Sequence, residues 1–302
     1  MPDPKHQRSH YSHLDSIEPD LWTRISSLFK SIVGTVTITD QPIQVIGGDP
    51  STVPVTIIDT SEALVFSLVT GFTSYSKFGF NPVIDINDTE DVWTVGGTRT
   101  WLSTATALEI LSASGLDDVG SSGATQVTIQ GLDDSWDLVE VTVSMDGGTP
   151  VPLPGTWFRI NRIFVAEAGT YAGTNAGIIT CRIPGPGATQ ANILAGVGQT
   201  EQTHFSCPRN TTAALQTVYI STDSTKVING TVWQNSNIDD VATPFGGAKR
   251  KVFGVTGLKG SMDHIYHSHP ILTGPCDIWW TATSFANGTE VEAGFDLLLK
   301  VD

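Results

Sequence analysis

The stretch that decides the fold runs from Gly123 to Gly177 and reads GATQVTIQGLDDSWDLVEVTVSMDGGTPVPLPGTWFRINRIFVAEAGTYAGTNAG. Within it, apolar and polar residues alternate strictly from Val139 to Met145. A period of two places the apolar side chains on one face of a β-strand. The turn-forming residues Asp146-Gly147-Gly148 follow, and Trp157–Val165 predicts the returning strand. The stretch therefore predicts an antiparallel hairpin with one buried side.

The predicted returning strand carries two arginines among bulky apolar residues. Phe158, Ile160 and Phe164 are expected on one face, while Arg159 and Arg162 point to opposite faces. An arginine on a buried face needs a carboxylate or carbonyl partner. Both arginines are therefore predicted to be structural.

The acidic partner is expected on the preceding strand of the hairpin. Glu140 and Asp137 are within cross-strand reach of the two arginines. The alternative is that both arginines are exposed to solvent and interchangeable with lysine.

The rest of the chain after residue 35 consists of short alternating runs separated by dense turn signals. Roughly a dozen short strands with little helix favour a sandwich or jelly roll. The sequence thus predicts an all-β fold, with a connecting β-hairpin over 35–65 and an antiparallel β-sandwich or jelly-roll-like body over 66–302.

The N-terminal residues 1–34 have a different pattern. Residues 1–13 are polar and aperiodic and are expected to be disordered, whereas apolar residues recur at steps of three and four over 14–33. This spacing predicts an amphipathic helical arm that packs on the body, on copies of itself or on another protein. Its interaction face consists of Leu14, Ile17, Leu21, Trp22, Ile25, Leu28, Phe29 and Ile32.

The composition excludes several classes of partner. With 31 Asp and Glu against 16 Lys and Arg, the net charge is −15, and such a surface repels phosphate backbones, so no nucleic acid is expected. The basic cluster Lys249-Arg250-Lys251 is interpreted as a solvated loop or strand end. No apolar run is long enough to span a membrane, and no secretion signal opens the chain. The cysteines Cys181, Cys207 and Cys276 have no metal or disulfide spacing and are expected to be small buried side chains.

Two sets of residues could carry chemistry. His264, His267 and His269 are weak candidates for metal ligands, which would require their loop to fold back on itself, and the alternative is a polar loop before Pro270. Paired carboxylates occur at 117–118, 133–134 and 239–240, all in turn-like contexts that could bind calcium, although no spacing matches a known calcium loop. Glycosidase chemistry would require two such carboxylates on opposite sides of a cleft. The sequence contains no nucleophile elbow, phosphate loop or dinucleotide motif. We therefore expect no metal, no cofactor and no enzymatic activity.

The tryptophans are numerous and could form platforms for sugars, although core packing accounts for most of them. Trp279 and Trp280 are adjacent, so on a strand they point to opposite faces. One is expected in the core and the other at a second surface, such as a subunit interface.

A series of motifs, in order, carries a family resemblance. The first are Lys77–Asn81 (KFGFN) and Glu90–Trp93 (EDVW) followed by Gly96-Gly97, and the last is Gly294–Leu299 (GFDLLL). Between them lie Leu108–Ile110, Gly123-Ala124, Val127–Asp133, Pro150-Val151, Arg159–Arg162, Ala168-Gly169, Asn175–Gly177, Cys276–Ile278, Asn287 and Glu290-Val291. The order resembles structural virion proteins of tailed bacteriophages of the marine, cyanophage-like kind. Cys276 departs from the threonine expected there, and the helical arm lies outside the shared region.

The resemblance implies a non-enzymatic virion component that is associated with the capsid, a head fibre or the tail. It implies other virion proteins as partners, a homo-oligomer that is a trimer in the phage setting, and a location in the virion after synthesis in the host cytoplasm and release by lysis. The alternatives are a fibre or spike module that attaches to the host by binding a receptor or a surface glycan, and an enzyme that degrades polysaccharide.

Overall fold

The computed structural model describes residues 71–240 and 247–301, which lie in strands, turns and loops without a helix. The all-β prediction is confirmed for this part of the chain, whereas the predicted helical arm at 14–33 and the hairpin within 35–65 lie outside it. In chain order the strands are β1 (Phe72–Ile84), β2 (Thr89–Asp91), β3 (Glu109–Ser112), β4 (Ala124–Asp133), β5 (Leu138–Ser144), β6 (Val151–Pro152), β7 (Trp157–Ala168), β8 (Ile179–Arg182), β9 (Thr189–Ile193), β10 (Phe205–Cys207), β11 (Thr211–Thr222), β12 (Ile228–Ser236), β13 (Lys249–Leu258), β14 (Ser261–Ile265), β15 (Ile271–Thr273), β16 (Cys276–Ser284) and β17 (Thr289–Val301).

The strands form four sheets in which neighbouring strands pair antiparallel. Sheet A has the order β1-β17-β11-β14, with β15 also beside β11, and sheet B has the order β10-β16-β12-β13, with β2 also beside β16. Sheet C has the order β6-β3-β8-β9, and sheet D has the order β5-β4-β7. The two ends of the described chain meet in sheet A, where Phe72 pairs with Lys300.

Sheets A and B share the first hydrophobic core. Along β17 the buried residues Val291, Ala293, Phe295 and Leu297 face the core at every second position, as a strand with one covered face requires. From sheet B, the completely buried Trp280 packs in the same core, and its indole N–H donates to the Gly294 carbonyl at 3.0 Å.

A bulge in β11 keeps that strand in phase with the first core. The register with β17 shifts between Leu215 and Thr217, which leaves Gln216 as an extra residue. Ala213 and Leu215 before the bulge, and Val218 and Ile220 after it, are therefore all buried in the core. Without the bulge, Val218 and Ile220 would lie on the opposite face of β11 from Ala213 and Leu215, and one of these two pairs would face away from the core.

Sheets C and D share a second core, and here the predicted hairpin is wrong. The alternation from Val139 to Met145 is present, with half-buried valines packed on the core. However, β5 pairs with β4, and β7 pairs with the other edge of β4, so β5 and β7 are not neighbours. The hairpin turn is Asp134–Asp137, and the chain after Asp146 first supplies β6 to sheet C before it returns as β7.

The side chains of β7 also depart from the expected single apolar face. Ile160 lies in the second core, but Phe158 stacks on Trp136 with ring centroids 4.0 Å apart, in a separate small cluster with Leu132. Phe164 is only half-buried. Bulges between β4 and β7 shift the register several times, so that the faces of β7 do not follow a simple alternation.

Two cores formed by two pairs of sheets differ from the single sandwich or jelly roll predicted for residues 66–302. A jelly roll has eight strands in two sheets, whereas the several small sheets here give a more propeller-like arrangement. The physical reason is that polar rather than apolar side chains separate the two cores.

Candidate functional site

The strand β16 is buried on both of its faces and joins the two pairs of sheets. Cys276, Ile278 and Trp280 face the first core, so Asp277 and Trp279 point the other way, and all five are buried. On that second side lies a cluster of buried polar residues that we call the polar junction. It consists of Lys77, Asn81, Asp91, Arg99, Arg159, Asn161, Gln202, His204, Ser206 and Asp277.

A bidentate ion pair between Arg159 and Asp277 forms the centre of the polar junction. Arg159 Nε donates to Asp277 Oδ1 at 2.9 Å and Nη2 donates to Oδ2 at 3.0 Å, with the two residues 4% and 1% exposed. Arg159 Nη1 donates to the carbonyls of Leu102 and Phe158 at 2.9 and 2.8 Å. Paired donors and acceptors in a fixed fork satisfy a buried guanidinium better than a single contact.

The partner of Arg159 is therefore Asp277, 118 positions along the chain, and the predicted partners Glu140 and Asp137 were wrong. Glu140 instead accepts a hydrogen bond from Gln130 at the surface. The reason is topological: β4 lies between β5 and β7, and the side of β7 that carries Arg159 faces β16.

Arg162 lies in a different environment from Arg159. It is half-buried, donates from Nη2 to the Ser76 carbonyl at 2.7 Å, and lies over the Tyr75 ring at 5.0 Å from the centroid. It has no acidic partner among the ion pairs of the described residues. The strand β7 thus carries one buried arginine, Arg159, and one half-buried arginine, Arg162.

A second buried charged group of the junction is centred on Asp91. Its Oδ2 accepts from the Arg99 backbone N–H at 2.8 Å and contacts His204 Nε2 at 2.9 Å. His204 is fully buried, and its ring makes T-shaped contacts with the rings of Trp93 and Trp101. Burial lowers its pKa to about 4, although the hydrogen bond to Asp91 acts in the opposite direction. His204 is therefore neutral near pH 7.

Two further cations of the junction are perturbed by burial. Burial lowers the pKa of Arg99 to about 10, with repulsion from Arg159 as the second cause. Lys77 is 2% exposed and its ammonium donates to the Asn161 carbonyl. Burial, followed by repulsion from Arg162 and Arg99, holds the pKa of Lys77 well below its usual value.

Amide and hydroxyl groups connect the remaining elements of the junction. Asn161 on β7 and Ser206 on β10 exchange two hydrogen bonds, from Asn161 Nδ2 to the Ser206 carbonyl at 3.0 Å and from the Ser206 N–H to Asn161 Oδ1 at 2.8 Å. Asn81 donates to the Glu90 carboxylate at 2.9 Å and to the Asp91 carbonyl at 3.0 Å. These bonds tie β7 to β10 and β1 to β2.

Close backbone contact at the junction explains one glycine. A Cβ at Gly79 would lie 2.5 Å from the Val92 carbonyl oxygen and 2.6 Å from the Thr203 nitrogen. Any other residue would therefore push β1 away from the segment that carries Asp91.

The adjacent tryptophans are both buried, on opposite faces of β16 as expected. Trp280 lies in the first core, whereas Trp279 meets Trp101 at a ring-centroid distance of 5.2 Å. The second surface that one of the two tryptophans was predicted to meet is therefore formed by Trp101 of the same chain. All three cysteines are free and buried in the structure.

The histidines that the sequence suggested as metal ligands lie outside the polar junction. His264 stacks on Phe253 at 5.2 Å on β14, and His267 and His269 are exposed in the following turn. Within 71–240 and 247–301, no group of three possible ligands is arranged to hold a metal ion. In the same ranges no helix is long and apolar enough to cross a membrane.

Of the acidic pairs, 117–118 contains a buried hub. Asp117 is completely buried and accepts from the backbone N–H groups of Ala124, Ala176 and Gly177 at 2.7–2.8 Å, and from the Ser112 hydroxyl. These bonds organise the loops around sheet C. Asp133 caps its own turn through Ser135, and 239–240 ends an exposed turn.

An apolar groove of about 450 Å³ opens between sheets A and D. Its lining includes Tyr75, Phe205, Leu138, Val139 and Leu299. The sequence did not predict this groove because its two walls come from strands that are distant in the chain.

Comparisons with known proteins give little further information. No family model matches the chain, and no curated protein matches it. Among solved structures, it is similar at 10% identity to a chain of infectious bursal disease virus, Gx strain, covering 76% of this chain and 72% of that chain with a TM-score of 0.22. A chain of the Gt strain matches at 11% identity with a TM-score of 0.22, covering 76% and 71%. The VP2 subviral particle of the same virus matches at 9% identity with a TM-score of 0.20, covering 81% and 78%. Scores of this size establish neither a common fold nor a common function.

Proposed function

We propose that the protein is a non-enzymatic structural component of a tailed-phage virion, which assembles through its N-terminal arm and the surfaces of its β-sheet body. One observation carries the proposal: the motifs that resemble phage virion proteins supply most of the polar junction. These motifs are far apart in the sequence, and they converge on one buried cluster that holds the two pairs of sheets together.

The first motif supplies the sheet A side of the junction. Lys77, Gly79 and Asn81 of KFGFN provide the buried ammonium, the close backbone contact and the amide that binds Asp91. In the second motif, Glu90 accepts from the Gly97 N–H at 2.6 Å and so fixes the turn that contains Gly96-Gly97. Both glycines have positive φ, which a side chain rarely adopts.

The later motifs supply the opposite side of the junction. Arg159 and Asn161 come from the run FRINR, and Asp277 comes from CDI. Arg159 and Asp277 bind each other, Arg159 and Asn161 donate to backbone carbonyls, and all three residues are almost completely buried. A site that binds substrate needs groups exposed in a cleft. The arrangement of these motif residues therefore supports a role in maintaining the body of an assembly protein.

Two alternatives make different predictions from a structural role. A receptor- or glycan-binding module would lie at a fibre or tail tip, and a polysaccharide-degrading enzyme would release sugar. A density map of intact virions of the encoding phage should place the chain in the particle at a stoichiometric position. Incubation of the purified protein with host surface polysaccharide should release no reducing ends. Absence of the chain from purified virions would refute the proposal, and sugar release would favour the enzyme.

The N-terminal arm should be required for incorporation. Replacing Leu21 and Ile25 by Asp places two charges on the apolar stripe of the predicted helix, which should abolish incorporation because the proposed assembly covers this stripe with another chain. The body should keep the circular dichroism spectrum of the unmodified protein. The matched control, Thr23→Asp with Ser27→Asp, adds the same charges to the polar face and should incorporate normally. Normal incorporation of the first double variant would contradict an assembly role of the arm.

The purified protein should form a homo-oligomer. Open sheet edges favour symmetric association, and the family resemblance implies a trimer. Light scattering at micromolar concentration should then give three times the chain mass of 32.2 kDa. A monomer at that concentration would count against self-association.

A further inference from the structure

A second groove, of about 660 Å³, lies on the outer face of sheet B, next to the polar junction. Three tryptophans line it: Trp101, Trp233 and Trp279. Trp101 and Trp233 are half-buried, whereas Trp279 is buried. The sequence alone did not place these three rings at one site.

Strand register explains why these side chains share one face. Trp233 on β12 pairs with Trp279 on β16, and Thr231 pairs with Thr281. The residues between them in the chain, Val232 and Trp280 among them, are buried in the first core. The groove side chains therefore point away from that core, on the side of sheet B that sheet A does not cover.

The polar part of the groove is a row of threonines. Thr231, Thr281 and Thr283 are half-buried, and Thr89 is exposed at the end of the row, with its hydroxyl 2.7 Å from that of Thr283. Thr281 also accepts from Trp233 Nε1 at 2.9 Å, which holds the indole in place. Each hydroxyl can donate one hydrogen bond and accept others.

Fixed indoles beside a row of hydroxyls match the chemistry of a sugar chain. A pyranose ring has an apolar C–H face that packs on an aromatic ring, and hydroxyls at its edge that pair with polar side chains. Pockets that combine aromatic surface with a few placed polar groups are typical binding sites. An elongated groove along β12 and β16 fits an oligosaccharide better than a compact ligand.

The charge of the groove selects the type of sugar. Lys249 lines the groove, with its ammonium 4.5 Å from the centroid of the Trp233 ring. Lys251 pairs in register with Trp233, whereas Arg250 between them binds Ser236. Among the described residues that line the groove, Asp91 is the only carboxylate, and it is buried and bound by the Arg99 backbone N–H and His204. On a protein with a net charge of −15, this cationic edge favours an anionic ligand.

We propose that this groove binds an acidic oligosaccharide, with indole surface against the sugar rings and Lys249 at a carboxylate or sulfate group. The proposal rests on the groove alone and does not depend on the virion assignment. A carboxylated and a sulfated chain present the same charge to Lys249, so separate probes are needed to distinguish them.

The test is calorimetric titration of the full chain with three probes: an alginate hexauronate, a sulfated dextran oligosaccharide and neutral maltohexaose. Binding of at least one acidic probe, tighter than the neutral one by tenfold or more, is expected. Trp233→Ala should weaken that binding at least tenfold, and Lys249→Gln should remove most of the preference for the acidic probe. Whichever acidic probe binds more tightly identifies the acidic group that the site accepts.

Arg250→Gln is the matched control, since it removes the same charge from the neighbouring residue on the opposite face, and it should bind like the unmodified protein. Equal losses in Lys249→Gln and Arg250→Gln would overturn the proposal by showing non-specific attraction. A lack of binding by all three probes, or equal affinity for neutral and acidic probes, would also overturn it. Because Lys249 is exposed, its variant keeps the test valid even if Trp233→Ala does not fold.

Discussion

Arg159→Ala should lower the free energy of unfolding by about 3–5 kcal/mol, because it leaves the buried Asp277 carboxylate without its cation. It also removes the donors to the Leu102 and Phe158 carbonyls. Chemical denaturation followed by circular dichroism measures this loss as a shift of the midpoint at an unchanged slope.

Arg162→Ala is the matched control, since it deletes the same side chain from the same strand. Arg162 is half-buried and donates to a backbone carbonyl, so we expect a loss of about 1 kcal/mol or less. Equal losses in the two variants would mean that the ion pair with Asp277 does not stabilise the fold as its burial indicates.

The double variant Arg159→Met with Asp277→Leu tests whether the stability loss in Arg159→Ala comes from the unpaired charge of Asp277 or from lost packing. Removing both charges together removes the burial cost of each. The double variant should therefore be more stable than Arg159→Ala, and the cycle with the two single changes should give a coupling of about 1–3 kcal/mol. A double variant as unstable as the sum of its single changes would contradict the pairing.

Acid should destabilise the protein through His204, by about 3 kcal/mol between pH 6.5 and pH 4. The folded-state pKa of His204, about 4, lies below its ordinary value of 6.5. As the pH falls through this window, the unfolded chain binds a proton that the folded protein does not, so unfolding becomes more favourable. Below about pH 4 both states are protonated and this contribution does not change further.

The measurement compares the pH dependence of stability in the unmodified protein and in His204→Gln. Glutamine has no titrating group and retains an N–H donor for Asp91, so the difference between the two curves isolates the histidine. That difference should change by about 3 kcal/mol across the window and be flat below it. Parallel curves from pH 7 to pH 4 would show that His204 is not held neutral by burial. Lys77, whose pKa is also lowered, is present in both proteins and cancels.

The local pattern of the sequence determined the all-β character of the described residues. Alternation from Val139 to Met145 predicted β5, because a strand with one covered face selects apolar side chains at every second position. The high content of turn residues and the lack of spaced cysteines likewise indicated the β-rich body and the buried free thiols.

What the tertiary structure alone decided is which strands are neighbours and which polar residues are buried. A period of two shows which residues share a face, but it does not identify the strand that covers them. Thus the sequence predicted that β5 and β7 form one hairpin, although β4 lies between them. Likewise, the bulge at Gln216 moves the residues of β11 that follow it to the opposite face from the one that a period of two predicts. Arg159 could be recognised as an arginine that needs a partner, but its partner Asp277 is 118 residues away. Only the packing of the second pair of sheets on β16 brings these two charges into contact.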